Sequence, residues 1–389
     1  MGEADMQRQV SVPLKQPQAI DAGGPHISIG VRRLRWTDLL ALSRVTDRHM
    51  LNQPSSSRAD SDPVRTGLRG LWPFTRHDQP VFVAFAEDDR RLMGFSQFKV
   101  VGPDQRWLME SVGADVGIYE IDPIVEELTR HAVFAAGLNG VKRLYARIEA
   151  GSPVRTPLRR MGFTPYMREQ VWAASFVPVT RPGHEVRAQE QADVWSIHQL
   201  YMASTPRQVQ YAEALTSHSW DVNVVLRSSG YGCRGWLVAD EHLAVAYARA
   251  VSRHDAHVVD FMVVPEHREM LPHLLATVFT ELSAMPARRV YVVVRDYQSE
   301  SASVLMEHGF VLHLEQDAHV KYTTATTRSS VVAAAAHAVD GKEPVAKRVP
   351  TFLHGTPDPY QTMSQEEWPS GMSLETIRII ETGERSRAE

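Results

Sequence analysis

Val31–Leu42 reads VRRLRWTDLLAL, and Val186–Ile197 reads VRAQEQADVWSI, 155 positions later. Both open on a Val-Arg pair in an extended run. Both place an aspartate seven residues on, Asp38 and Asp193, where an N-cap would start an amphipathic helix. The correspondence continues outward. LMGFSQFKVV from Leu92 matches LAVAYARAVS from Leu243, RLYARI from Arg143 matches RVYVVV from Arg289, and RRMGF from Arg159 matches MEHGF from Met306, at offsets of 151, 146 and 147. Offsets this constant mark an internal duplication. Their drift places extra loop length in the first copy, at Asn52–Gly70, a Ser/Pro/Arg/Asp stretch without a hydrophobic period.

Each copy predicts the same order of elements. A strand and one or two helices come first, then a hairpin: VFVAFA, the turn EDDRR and LMGFSQF in one copy, WLVA, the turn DEH and LAVAYARAV in the other. A long strand follows, around Trp107–Val112 or His257–Val264. Then comes an amphipathic helix, with Ile124, Leu128, Ala132, Ala135 and Ala136 on one face, or Leu274, Leu275, Val278, Phe279 and Leu282. An alternating strand, a short helix ending at Gly-Phe and a last strand (Gln170–Phe176 or Leu312–Tyr322) complete the unit. The expected organisation is a mobile lead-in at 1–26, one domain at 27–178, a linker at 179–185, a second domain at 186–324 and a largely unstructured tail at 325–389.

Composition excludes several classes. The 389 residues are too many for one core. With Lys+Arg at 42 against Asp+Glu at 46, the chain lacks the basic surplus of a nucleic-acid wrapper. The single cysteine, Cys233, leaves no disulfide framework or Cys-cluster zinc site. His254, Asp255 and His257 read as a solvated hairpin tip and not a metal site, so no metal is expected. The first residues carry acidic groups and no apolar core, and no uncharged apolar run approaches the ~18 residues of a membrane span. The expectation is a cytoplasmic protein without nucleic-acid or membrane partners.

The repeated order resembles the GNAT acetyltransferase superfamily over about residues 27–324, twice. The supporting pieces are VVPEHR at 263–268 running into a helix, and Gly162-Phe163 and Gly309-Phe310 near the ends of the copies. The resemblance implies an α/β (α+β) chain of two tandem GNAT-like domains packed on each other, each a mixed, mostly antiparallel sheet flanked by helices. It also implies an acetyl-CoA substrate, whose pantetheine arm runs along the splayed long strand, here Met262, Val263 and Val264. The pyrophosphate would meet the following loop and helix N-terminus. There Arg268 takes the leading basic place, while Leu271 and His273 stand where the family has glycines. In the first copy the same stretch, Tyr119–Glu127, carries four carboxylates and no basic residue, which disfavours a phosphate.

Acetyl transfer to an amine needs a base, because an ammonium has no lone pair. Family members often place a carboxylate five residues before the strand's proline, and Asp260 falls five before Pro265. Its face of the strand is shared with Val258, Met262 and Val264; the alternative is an ion pair with Arg249 or Arg253. The family's frequent general acid, a tyrosine four residues before the Gly-Phe glycine, is replaced by Leu158 and Leu305. The segment from Tyr201 to Glu213 falls on the helix pair that lines the acceptor side in the GNAT layout, or packs there as a surface helix. Two functions follow: an acyl-CoA-dependent N-acyltransferase working through domain 2 on a small-molecule or peptide amine, or a binding and scaffolding protein that keeps the fold without the chemistry.

Overall fold

Runs such as VFVAFA and RVYVVV are rich in β-branched and aromatic residues, and each forms a strand in the computed structural model. The structure describes residues 28–323, apart from 46, 55–61, 71–78, 89–90, 102–105, 116–119, 182–184, 225–230 and 242. The lead-in at 1–26 and the tail at 325–389 lie outside the described residues, as do parts of the Glu87–Arg91 turn, the linker at 179–185 and the Tyr119–Glu127 stretch.

The first half runs β1 (Ile29–Arg33), α1 (Leu39–Leu42), β2 (Asp47–Met50), α2 (Pro63–Gly70), β3 (Val81–Ala86), β4 (Leu92–Val101), β5 (Arg106–Ala114), α3 (Ile121–Leu138), β6 (Arg143–Glu149), α4 (Arg155–Arg160) and β7 (Thr164–Ala174). The second runs β8 (Arg187–Ala188), α5 (Val194–Ser204), α6 (Arg207–Glu213), β9 (Gly232–Asp240), β10 (Leu243–Ser252), β11 (Ala256–Val263), α7 (Met270–Ser283), β12 (Arg289–Arg295), α8 (Ala302–Glu307) and β13 (Val311–Tyr322). The Asn52–Gly70 stretch, expected as loop, contains α2 and opens on the buried Asn52.

Local signals recur in both halves. Gly162 (φ 84°) and Gly309 (φ 78°) adopt the left-handed conformation that stops α4 and α8. The next amide reaches back five residues, Phe163 to Leu158 O at 3.1 Å and Phe310 to Leu305 O at 3.0 Å, closing a Schellman cap over a buried phenylalanine. Asp38 and Asp193 stand just before α1 and α5, but their carboxylates turn backward instead of capping forward. Each accepts the amide three residues earlier at 2.7 Å (Arg35, Glu190) and a two-pronged contact from Arg32 or Arg187 at 2.6–2.8 Å.

Both halves share one 13-stranded sheet, ordered β1-β3-β4-β5-β6-β13-β7-β12-β11-β10-β9-β8, with β2 also on β5. At its centre the terminal strands have changed places. The second half's β13 lies between β6 and β7, and the first half's β7 pairs with β12, both antiparallel. On one face, α3 and α4 close a core over Phe98, Met109, Leu144 and Ile148, while α7 and α8 close another over Val259, Phe261, Val292 and Val294. On the opposite face, α5 packs on Leu237, Tyr247 and Met262. Then α6 crosses to the central strands, where Val209 meets Met167 and Ala318, and Ala212 meets Tyr145 and Val320.

Candidate functional site

Strand alternation sends one set of side chains into the helix-covered cores and the other toward the face crossed by α6. On that second face lies a cavity of about 290 Å³ lined by residues of both halves. Its cations are Lys99, Arg106, Arg147, Arg249, Arg253 and Arg295; its carboxylates are Glu110, Glu169, Glu213 and Asp260. Leu215, Ser219 and Trp220, just after α6, line it as well.

Most of these charges are held in place by buried partners. Arg147 Nε lies 2.8 Å from Glu169 Oε2, an atom that also accepts from Gln316 Nε2 at 2.9 Å. Arg295 lies 3.2 Å from Glu213 Oε1, while Tyr201 donates to Glu213 Oε2 at 2.9 Å and Arg295 donates to the Tyr297 hydroxyl at 2.7 Å. Tyr145 donates to Ala212 O at 2.8 Å, and burial pushes its phenol up to about 12. Burial, reinforced by Glu213, also raises the Tyr201 phenol, so it remains a neutral donor at physiological pH.

Asp260 faces this cavity, opposite Arg249 in the β10–β11 register and 3.4 Å from its guanidinium. The carboxylate is 45% exposed, so solvent and a ligand can both reach it. The ion pair that the sequence offered as the alternative to a base is therefore present, beside an open cavity. Arg253 is bound elsewhere, to Pro54 O and Asp255. The hairpin tip that it opens is less solvated than expected. Arg253 and His257 are buried, and His257 Nδ1 lies 2.8 Å from Ser252 Oγ.

The two long strands differ at their open ends. β11 pairs in parallel with β12 from Ala256↔Arg289 to Asp260↔Val293, and the register ends there. Beyond it, Gln298 donates to Phe261 O at 3.3 Å, while the Val264 amide bonds Val245 O on β10 at 3.0 Å. Alternation then turns the peptide groups of Val263 toward the opening. In the first half, β5 pairs with β6 only at Trp107↔Leu144 and Leu108↔Tyr145. The gap beyond is filled by the chain's own β2, antiparallel to β5 from Asp47↔Ala114 to Met50↔Ser111. Leu51 and Asn52 continue it: their amides bond Glu110 O at 2.8 Å and Arg147 O at 3.0 Å, and the Asn52 side chain ties Met109 O to the Arg147 amide.

The other sequence-chosen residues are dispersed around the second opening. Met262 is buried under α5, and Val264 packs between two cores. Pro265–His267 forms a short 3-10 turn before α7. Arg268 is exposed and paired with Glu300. Leu271 is buried in the α7 core, so only its backbone could meet a ligand, whereas His273 is exposed. Leu158 and Leu305, at the missing-acid positions, are fully buried. In the first half, Arg160 pairs with Asp122 and Glu126, and Arg130 with Glu127, cations that the acidic stretch itself lacks. Among the described residues, no group of three or more His, Cys, Asp or Glu is placed to hold a metal ion, and no helix is long and apolar enough to cross a membrane.

Lys99, Arg106, Arg147, Glu169 and Arg295 were not singled out from the sequence, whereas Glu213 ends the segment expected on the acceptor side. Their signal was present: charged residues at alternate positions of otherwise apolar strands, as in Tyr145–Arg147 and Val293–Arg295, pointing to one shared face.

Two matching element orders are joined in one mixed, mostly antiparallel sheet, the tandem α/β architecture expected from the sequence. No family model matches the chain, and no curated protein matches it. Among solved structures it is similar to a GCN5-related N-acetyltransferase from Sphaerobacter thermophilus (11% identity, TM-score 0.49, covering 76% of this chain and 96% of that one). It is also similar to a tandem GNAT protein from the clavulanic acid biosynthesis pathway (14%, 0.47, 77% and 100%) and a putative acetyltransferase from Pyrococcus horikoshii (12%, 0.45, 76% and 90%).

Proposed function

We propose that the chain is an acyl-CoA-dependent N-acyltransferase that transfers an acetyl group to an amine through its second half. The observation that carries this reading is the contrast between the two strand openings. Beyond Asp260↔Val293 no strand pairs with this edge of β11, and a side chain, Gln298, reaches Phe261 O, whereas the corresponding edge of β5 is hydrogen-bonded by β2. A pantetheine arm, itself an amide chain, needs such an unpaired edge.

In this reading the thioester lies along Met262–Val264, with a backbone N–H polarising its carbonyl. Asp260, at the junction of opening and cavity, accepts the proton of the ammonium directly or through water. Arg249, 3.4 Å away, holds the Asp260 carboxylate at the cavity in the resting site. The pyrophosphate would meet Arg268 and the start of α7 near His273, displacing Glu300 from Arg268. The first half closes the acceptor cavity without binding a second acyl-CoA.

The test is titration calorimetry of acetyl-CoA into the full chain. One site of micromolar affinity, about −8 kcal/mol, weakened by Val263→Pro, is the expected result. No heat at millimolar acetyl-CoA would refute the proposal and leave the scaffolding reading, which the buried leucines at both general-acid positions favour.

A further inference from the structure

The cavity's charges do not cancel: six cations line it against four carboxylates. Three carboxylates already have an arginine, in the pairs Arg147–Glu169, Arg295–Glu213 and Arg249–Asp260. Lys99 and Arg106, on the paired strands β4 and β5, line the cavity and make no ion pair among the described residues. The Arg106 Nε is buried and has no hydrogen-bond partner among them, and the same is true of the Arg249 Nε. A buried guanidinium N–H without an acceptor costs free energy that an anionic ligand recovers, and its planar fork suits carboxylate or phosphate.

Lys99 and Arg106 lie on the first half's side of the cavity, while Arg249 and Asp260 lie on the other. We infer that the cavity takes an amine that also carries a carboxylate or phosphate, its anion held by Lys99 and Arg106 and its amino group turned toward Asp260. The amino-group end rests on the acyl-transfer reading; the anion end does not. Polycationic acceptors of the aminoglycoside type are excluded by the same surplus, because each added positive charge meets a lining already net positive.

The test is calorimetry on the full chain without acetyl-CoA, using L-glutamate for the carboxylate source, glucosamine 6-phosphate for the phosphate source and neomycin as the polycation. One anionic amine should bind with an affinity that falls as salt rises, and neomycin should give no heat. The variant K99Q/R106Q should weaken that ligand about tenfold or more, with an unchanged thermal midpoint showing that it is folded. R106K should recover part of the loss. Binding of neomycin, no binding of either anionic amine at about 10 mM, or full affinity in folded K99Q/R106Q would overturn the inference. Because acetyl-CoA is absent, a failure of the acyl-transfer reading would appear separately, in the acetyl-CoA titration.

Discussion

Arg249 and Asp260 stand directly opposite each other on β10 and β11, their charged groups 3.4 Å apart at the mouth of the shared cavity. The pair is partly exposed, so its contribution to stability is small, and Asp260→Asn should leave the thermal midpoint nearly unchanged. If Asp260 takes the acceptor's proton, the same change lowers turnover by about 100-fold or more, with acetyl-CoA affinity within about twofold. Steady-state kinetics beside calorimetry makes the comparison, and undiminished turnover would remove Asp260 from the mechanism.

The exchange of β7 and β13 makes each half incomplete without the other. A fragment of residues 179–389 lacks β6 and β7, leaving one edge of β12 and both edges of β13 without their native partners. It should show no cooperative melting transition by circular dichroism. Mixing it with a fragment of residues 1–178 during refolding should restore one. A cooperative transition in the isolated fragment would contradict this dependence.

Asn52 is fully buried, sits at φ 59° and bridges the split between β5 and β6 through the Met109 carbonyl and the Arg147 amide. Asn52→Ala leaves both groups unsatisfied and forces a Cβ-bearing residue without a polar side chain into the left-handed region. A loss of about 2–4 kcal/mol is expected, and Asn52→Gly should be milder by about 1 kcal/mol because glycine accepts that backbone. Urea denaturation measures both.

The hydrogen bonds from Arg187 hold the Asp193 carboxyl below the ordinary range for an aspartate, against the opposing effect of burial. A depressed folded-state value contributes stability above the unfolded pKa near 4 that is lost as pH falls through the folded value. Asp193→Asn should therefore lower the midpoint at pH 7 by about 2 °C, and the difference from wild type should shrink below about pH 4. A difference independent of pH would mean that the contact acts through shape and not charge.

What could be read directly from the chain was local. The Gly-Phe stops, the aspartates before α1 and α5, and the apolar faces of α3 and α7 depend on residues a few positions apart, so each copy's element order and the tandem architecture were legible. The sheet face of Asp260 followed from simple alternation. Distant contacts decided the rest. The edge that β13 chooses depends on pairing with β6, about 170 residues earlier in the chain. The filling of the first opening depends on β2 reaching β5 across some sixty residues. The cavity exists because α6 of one half lies over strands of the other, where Ala212 meets Tyr145, bringing Glu213 and Asp260 of the second half to the same space as Lys99 and Arg106 of the first. Local propensity sets which face of an element is polar; only the packing of elements far apart in the chain sets which polar faces meet.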